Sequence, residues 1–221
     1  MRRPRLTFRC SVAVLAVVSI LGAAGAAYAA SLPLVSGHLW SGSQPLTKTT
    51  CDQTATTAYD TDVQEASKTS SSGGTAKTVA VSNISGSREY AFIRFDISGC
   101  AIPATTGGAD DAVLTIRVNS ATRTNHTISL YPVYSSWTES LTWNSSLSLT
   151  IGSTATTTFT TSTGSKALTV TAALDSAIKA GAFWGWELVD SAGSGNNTTK
   201  IASSENNTAN RRPSMTLSYE R

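Results

Sequence analysis

The chain of 221 residues carries 17 Lys and Arg against 14 Asp and Glu, a formal net charge of +3, and is 40% hydrophobic with three cysteines. Four of the arginines, Arg2, Arg3, Arg5 and Arg9, precede Ala29 with no acid among them, so 13 basic residues face 14 acidic ones beyond that point, a net charge of −1. The basic excess belongs to the first segment, and no basic stripe is left to recruit nucleic acid.

Those arginines lead into an apolar run from Ser11 to Ala24, followed by Ala27 and Ala29 in an Ala-x-Ala arrangement. The pattern predicts a secretory signal peptide over residues 1–29 and a secreted, extracellular mature chain. The run falls short of the ~20 residues a spanning helix needs, so no membrane attachment is expected after cleavage. Cys10 leaves with the leader. Cys51 and Cys100 remain as one pair in an oxidising compartment, where a bridge would tie the N-terminal segment to the end of a central strand. With no CxxC spacing and only His38 and His126 besides, these cysteines make a poor zinc site.

Residues 30–53 hold Trp40 among Ser, Thr and Gly and fit either a tether or a first edge strand. One domain is expected over 54–221. Asp60-Thr61-Asp62-Val63 and Thr78–Val81 flank a loop at Ser70 to Gly74. Tyr90 to Cys100 is predicted as the organising strand, with Ile93, Phe95 and Ile97 on a buried face and Phe92, Arg94 and Asp96 on the other, since strand side chains alternate. Arg94 is expected to form a solvated ion pair with Asp96 or Glu89. Ala112 to Val118 alternates apolar and polar residues and predicts a strand with one wet face carrying Arg117. A polar loop, Asn119 to His126, leads to a strand at Thr127 to Val133, and short strands are expected between Leu147 and Thr161. Leu174, Ala177 and Ile178 share a helical face, with Thr171 as a candidate cap and Gly181 as the stop. Final strands are expected at 183–189, 201–204 and 214–219. This order predicts an all-β fold, a single antiparallel β-sandwich of jelly-roll type with one short helix.

Several motifs along this order are similar to those of the DNRLRE domain, also described as carbohydrate-binding module family 96. They are Ile93-Arg94-Phe95-Asp96-Ile97, Ala112-x-Leu114-x-Ile116, Trp137-Thr138-Glu139 with Thr142-Trp143-Asn144, Val170-Thr171, Trp184-Gly185-Trp186, and Ser203-Ser204-Glu205 with Arg212-Pro213. The resemblance covers about Thr57 to Tyr219. Thr169 stands where the family usually has Asp, and the proline that usually follows Asn144 is absent.

The resemblance implies a non-catalytic module with a polysaccharide as partner. Such a site needs an aromatic platform and polar groups that orient hydroxyls. Trp40, Trp137, Trp143, Trp184 and Trp186 are the candidate platforms, of which Trp137, Trp143 and Trp186 are expected to be structural. For an acidic polysaccharide, Arg117, Arg123 and Lys200 are the candidate cations, with Trp40 alongside; Arg94 is also placed outward, but the ion pair is the preferred reading for it. No cofactor is expected, and no metal, although Asp60 and Asp62 offer oxygen ligands for calcium. A glycosidase would need paired carboxylates, for which Glu139, Glu187 and Glu205 are available. Glu139 and Glu205 instead fit backbone hydrogen bonding. A structural wall or matrix protein with a protein partner is the competing class.

Overall fold

The computed structural model describes residues 47–54, 56–71, 74–102, 109–192 and 195–220. These belong to one compact unit, Gln44–Arg221. The segment predicted as a leader and Trp40 lie outside the described residues. Eleven strands follow in order: β1 Lys48–Gln53, β2 Ala58–Gln64, β3 Thr78–Ser82, β4 Glu89–Phe95, β5 Asp111–Ala121, β6 Thr127–Pro132, β7 Thr157–Thr160, β8 Gly164–Thr169, β9 Trp186–Asp190, β10 Thr198–Ala202 and β11 Ser214–Glu220. A single helical turn, α1 (Trp143–Ser146), and the helix α2 (Thr171–Lys179) interrupt them.

All pairings are antiparallel, and the strands run β1-β11-β5-β10-β3-β4-β9-β6-β7, with β2 added on β4 and β8 on β5. The sheet curls on itself as an all-β sandwich. Its inner faces supply Val79, Ile93, Leu114, Ile116, Leu130, Leu188 and Ile201, all nearly inaccessible to solvent. Alternation explains why β5 buries Ala112, Leu114, Ile116 and Val118 and leaves Thr115 and Arg117 partly exposed. The segment at 48–53 is an edge strand: β1 pairs with β11 from Lys48↔Glu220 to Gln53↔Met215. The Cys51–Cys100 disulfide pins it to the chain just after β4.

The organising strand is buried on both faces, which corrects the half-buried expectation. Ile93 and Phe95 enter the main core, with Ile97 packed against it from beyond the strand end. Phe92 is fully buried on the opposite face, in a second cluster with Val63, Val133, Trp137, Leu141 and Trp143. The segment between β6 and β7 forms this lid. Here α1 starts with a reciprocal cap in which Thr142 and Ser145 satisfy each other's backbone amides. The turn carries Trp143 inward, where its ring lies 5.0 Å from that of Tyr90. Burying each large side chain of this cluster stabilises the fold by roughly 1.5–3 kcal/mol.

Other boundaries move by a few residues. Only 157–160 of the Thr-rich region forms a named strand, with Ile151 bridging Val133. The strand expected at 183–189 begins at Trp186, and the one expected at 201–204 spans 198–202. Thr171 does not cap α2. Its Oγ1 accepts from the Ala112 amide at 2.9 Å and thereby docks the helix start on β5. At the other end Gly181, at φ +63°, closes α2: its amide bonds to Ile178 and that of Ala182 to Ala177.

Candidate functional site

Arg94 projects from β4 toward the lid side, and the β2–β4 register sets Tyr59 directly opposite it. The Arg94 guanidinium carbon lies 4.1 Å from the centre of the Tyr59 ring, 5.3 Å from Trp184 and 5.4 Å from Trp137. Each ring face attracts the cation, but none supplies a lone pair to its N–H groups. The buried Nε of Arg94 has no hydrogen-bond partner. This corrects the expected ion pair with Asp96 or Glu89: neither carboxylate meets the guanidinium among the described residues. Asp96 accepts instead from the Ser98 amide at 3.0 Å, and Glu89 from Gln64 at 2.9 Å.

The Trp184 platform is held by backbone. Trp137 Nε1 donates to the Trp184 carbonyl at 2.6 Å, and the Trp184 amide donates to Val133. Gly185 then takes φ +85° and passes so close to β4 that a Cβ would collide with the Ile93 carbonyl and the Arg94 side chain. Trp184 remains half-buried, while Trp137, Trp143 and Trp186 are buried as expected for structural tryptophans.

Cavities open on both sides of the Arg94–Trp184 pair. One, of about 530 Å³, is edged by the hydroxyls of Ser136, Thr138, Ser140 and Ser145. The other, of about 340 Å³, is edged by Asp96, Ser98, Ile178 and Phe183. Aromatic faces, a cation whose Nε has no hydrogen-bond partner and several hydroxyl-bearing residues in one concave surface make up the chemistry of sugar recognition.

A carboxylate cluster adjoins this surface. Asp60, on the inner side of β2, is 1% exposed, and its Oδ2 accepts from the Ser204 amide at 2.6 Å. Burial pushes Asp60 up to about 7; the Ser204 bonds oppose the shift, and Glu205 and Glu139 reinforce it. Glu139 accepts from the Asp60 amide at 3.3 Å, the backbone bond expected of it, whereas Glu205 accepts from the Ser204 side-chain hydroxyl at 2.6 Å. Asp62 accepts from the Ala80 amide. Among the described residues no group of three or more His, Cys, Asp or Glu side chains is placed to hold a metal ion. Glu187, on β9 between Phe92 and Tyr131, is raised to about 7 by burial. His126 is a correction to the polar-turn reading: it is 3% exposed, with Nδ1 2.9 Å from the buried Asp190.

The sequence-predicted cations lie elsewhere. Arg117 is partly exposed on β5, opposite Ser165 of β8. Lys200 is exposed on β10, opposite Ala80 and Ser120. Arg123 follows β5 and braces the loop before β10, donating from its amide to Asn197 Oδ1 and from Nε to the Asn196 carbonyl. None of the three lines the Arg94 cavities. Tyr59 escaped sequence reasoning because its value depends on strand register. The alternation of Tyr59, Thr61 and Val63 against Ala58, Asp60 and Asp62 was the available signal.

No curated protein matches the chain in a sequence comparison. The family model of carbohydrate-binding module family 96 matches residues 52–219, which span the curled sheet, the lid and the aromatic site, and the chain belongs to that family.

Proposed function

We propose that this chain is a secreted, non-catalytic module that binds an acidic polysaccharide in the groove around Arg94. The observation that carries the reading is the Arg94 guanidinium, framed by three aromatic rings and with no hydrogen-bond partner for its buried Nε. A sugar ring resting on Trp184 brings a carboxylate to that guanidinium, where planar two-point pairing is favoured. The leader pattern and the disulfide support export, and family membership supports binding without cleavage. A second basic surface, made of Arg117 and Lys200 on the sheet with Arg123 in a loop, is the alternative contact face.

The test is affinity electrophoresis and calorimetry of the mature chain against acidic and neutral polysaccharides, with chain shortening scored in the same tubes. Arg94→Ala and Trp184→Ala are each expected to weaken binding to acidic glycans at least about tenfold, the loss of a charge-assisted or stacking contact. Far-UV circular dichroism checks that both variants fold. Wild-type affinity in both, with loss in Arg117→Ala, would move the site to the β5–β10 face. No retardation by any glycan would remove the carbohydrate reading in favour of a structural wall or matrix protein.

A further inference from the structure

The sheet face that carries Phe92 and Arg94 continues from β4 onto β9 and β6. Register sets Glu187 of β9 directly between Phe92 of β4 and Tyr131 of β6, and Val189 lies two positions along β9 on the same face. Directly opposed residues of antiparallel strands stand about 4.5–5.5 Å apart at Cβ, so Tyr131 and Glu187 are within reach of each other. Tyr90, two positions before Phe92 on β4, adjoins them: burial raises its hydroxyl, and the Glu187 charge adds to that shift. Tyr90, Tyr131, Glu187 and Val189 are all partly exposed. Among the described residues the Glu187 carboxylate takes part in no hydrogen bond and no ion pair, and burial alone raises it. An ionised carboxylate held among aromatic and aliphatic side chains without a partner costs stability, and a fold keeps such a group where a ligand completes it.

The missing partner is a cation, and the surroundings select its kind. A primary ammonium brings three N–H donors and a guanidinium five, whereas the side chains of this patch offer one carboxylate and two phenol oxygens as acceptors. A quaternary ammonium has no donors to satisfy. Its charge is balanced by one carboxylate, and its methyl groups are attracted to tyrosine faces. We propose that Glu187, Tyr90 and Tyr131 form a second binding site, which takes a quaternary ammonium group of the choline type.

The experiment titrates choline chloride and tetramethylammonium into the mature chain with isotope-labelled tyrosine. It is run at pH 8, above the value of about 7 to which burial raises Glu187. Saturable shifts of the Tyr90 and Tyr131 ring signals are expected. Dimethylbutanol, the neutral carbon isostere of choline, should bind at least about fivefold more weakly, the size of one close charge pair in water. Glu187→Gln keeps the side-chain shape without the charge, and should bring choline down to the affinity of that isostere. Tyr131→Leu keeps apolar area and should weaken choline about threefold through the lost ring contact. Phosphatidylcholine vesicles distinguish the source of the group. Co-sedimentation lost in Glu187→Gln assigns it to a lipid headgroup, and choline binding without co-sedimentation assigns it to a soluble ligand. Equal choline affinity in wild type and Glu187→Gln, or no saturable shift of either ring, overturns the site. Tighter binding of a glucosamine tetramer than of choline, lost in Glu187→Gln, overturns the quaternary assignment. Glu187 lines neither Arg94 cavity, so each of these outcomes leaves the acidic-polysaccharide reading to its own test.

Discussion

Burial holds the Asp60 carboxyl near pKa 7, against about 3.9 in an unfolded chain, so folding favours its protonated form. Between those values the unfolded state ionises first and binds fewer protons, and stability therefore falls as pH rises, with a slope approaching 1.4 kcal/mol per pH unit. Glu187, also raised to about 7, acts in the same direction. Asp60→Asn removes one of these charges while keeping an oxygen for the Ser204 amide. Urea denaturation from pH 4.5 to 8 is expected to give a flatter profile for the variant, which becomes the more stable protein above pH 7. A parallel pair of profiles would mean that Asp60 is ionised throughout.

At the scale of elements, β4 and the Trp184–Gly185 approach to it decide whether the site exists. Gly185→Ala would drive a methyl into the Ile93 carbonyl and impose a left-handed backbone on a residue with a Cβ. We expect a loss of at least about 2 kcal/mol, measured by chemical denaturation, with weakened glycan binding wherever the variant still folds. The strands themselves were legible because alternation is local: β5 announces its buried Leu114, Ile116 and Val118, and Gly181 announces the end of α2. The second cluster was not legible. Phe92 looks outward by its place in the alternation, and only the return of residues 134–151 across β4 buries it. The site was hidden for the same reason, since Tyr59, Arg94, Trp137 and Trp184 come from four separate stretches and meet through register and lid packing. Arg94 was visible as an outward cation, but nothing in its neighbourhood along the chain reveals that aromatic rings take the place of an ion pair.

For the molecule as a whole, the disulfide joins residues 49 apart in sequence and limits the freedom of the unfolded chain. In the chain-entropy model a loop of that length contributes about 4 kcal/mol. Replacing both cysteines, Cys51→Ser with Cys100→Ser, is expected to lower unfolding free energy by up to that amount at pH 6 and to leave glycan affinity within about twofold, because the groove draws no side chain from β1. The position of that bond on β1 also matters under load. Lys48 and Glu220 are paired partners at one end of the β1–β11 ladder, so tension applied through the two ends of the folded unit opens that ladder one bond at a time from the Lys48 end. Three residues along, Cys51 is covalently held to the chain beyond β4. From there the N-terminal pull passes to Cys100 at the edge of the main core, and further opening requires β11 to leave both β1 and β5. The N-terminal side of the folded unit thereby gives only the few residues before Cys51 as slack before tension reaches the core.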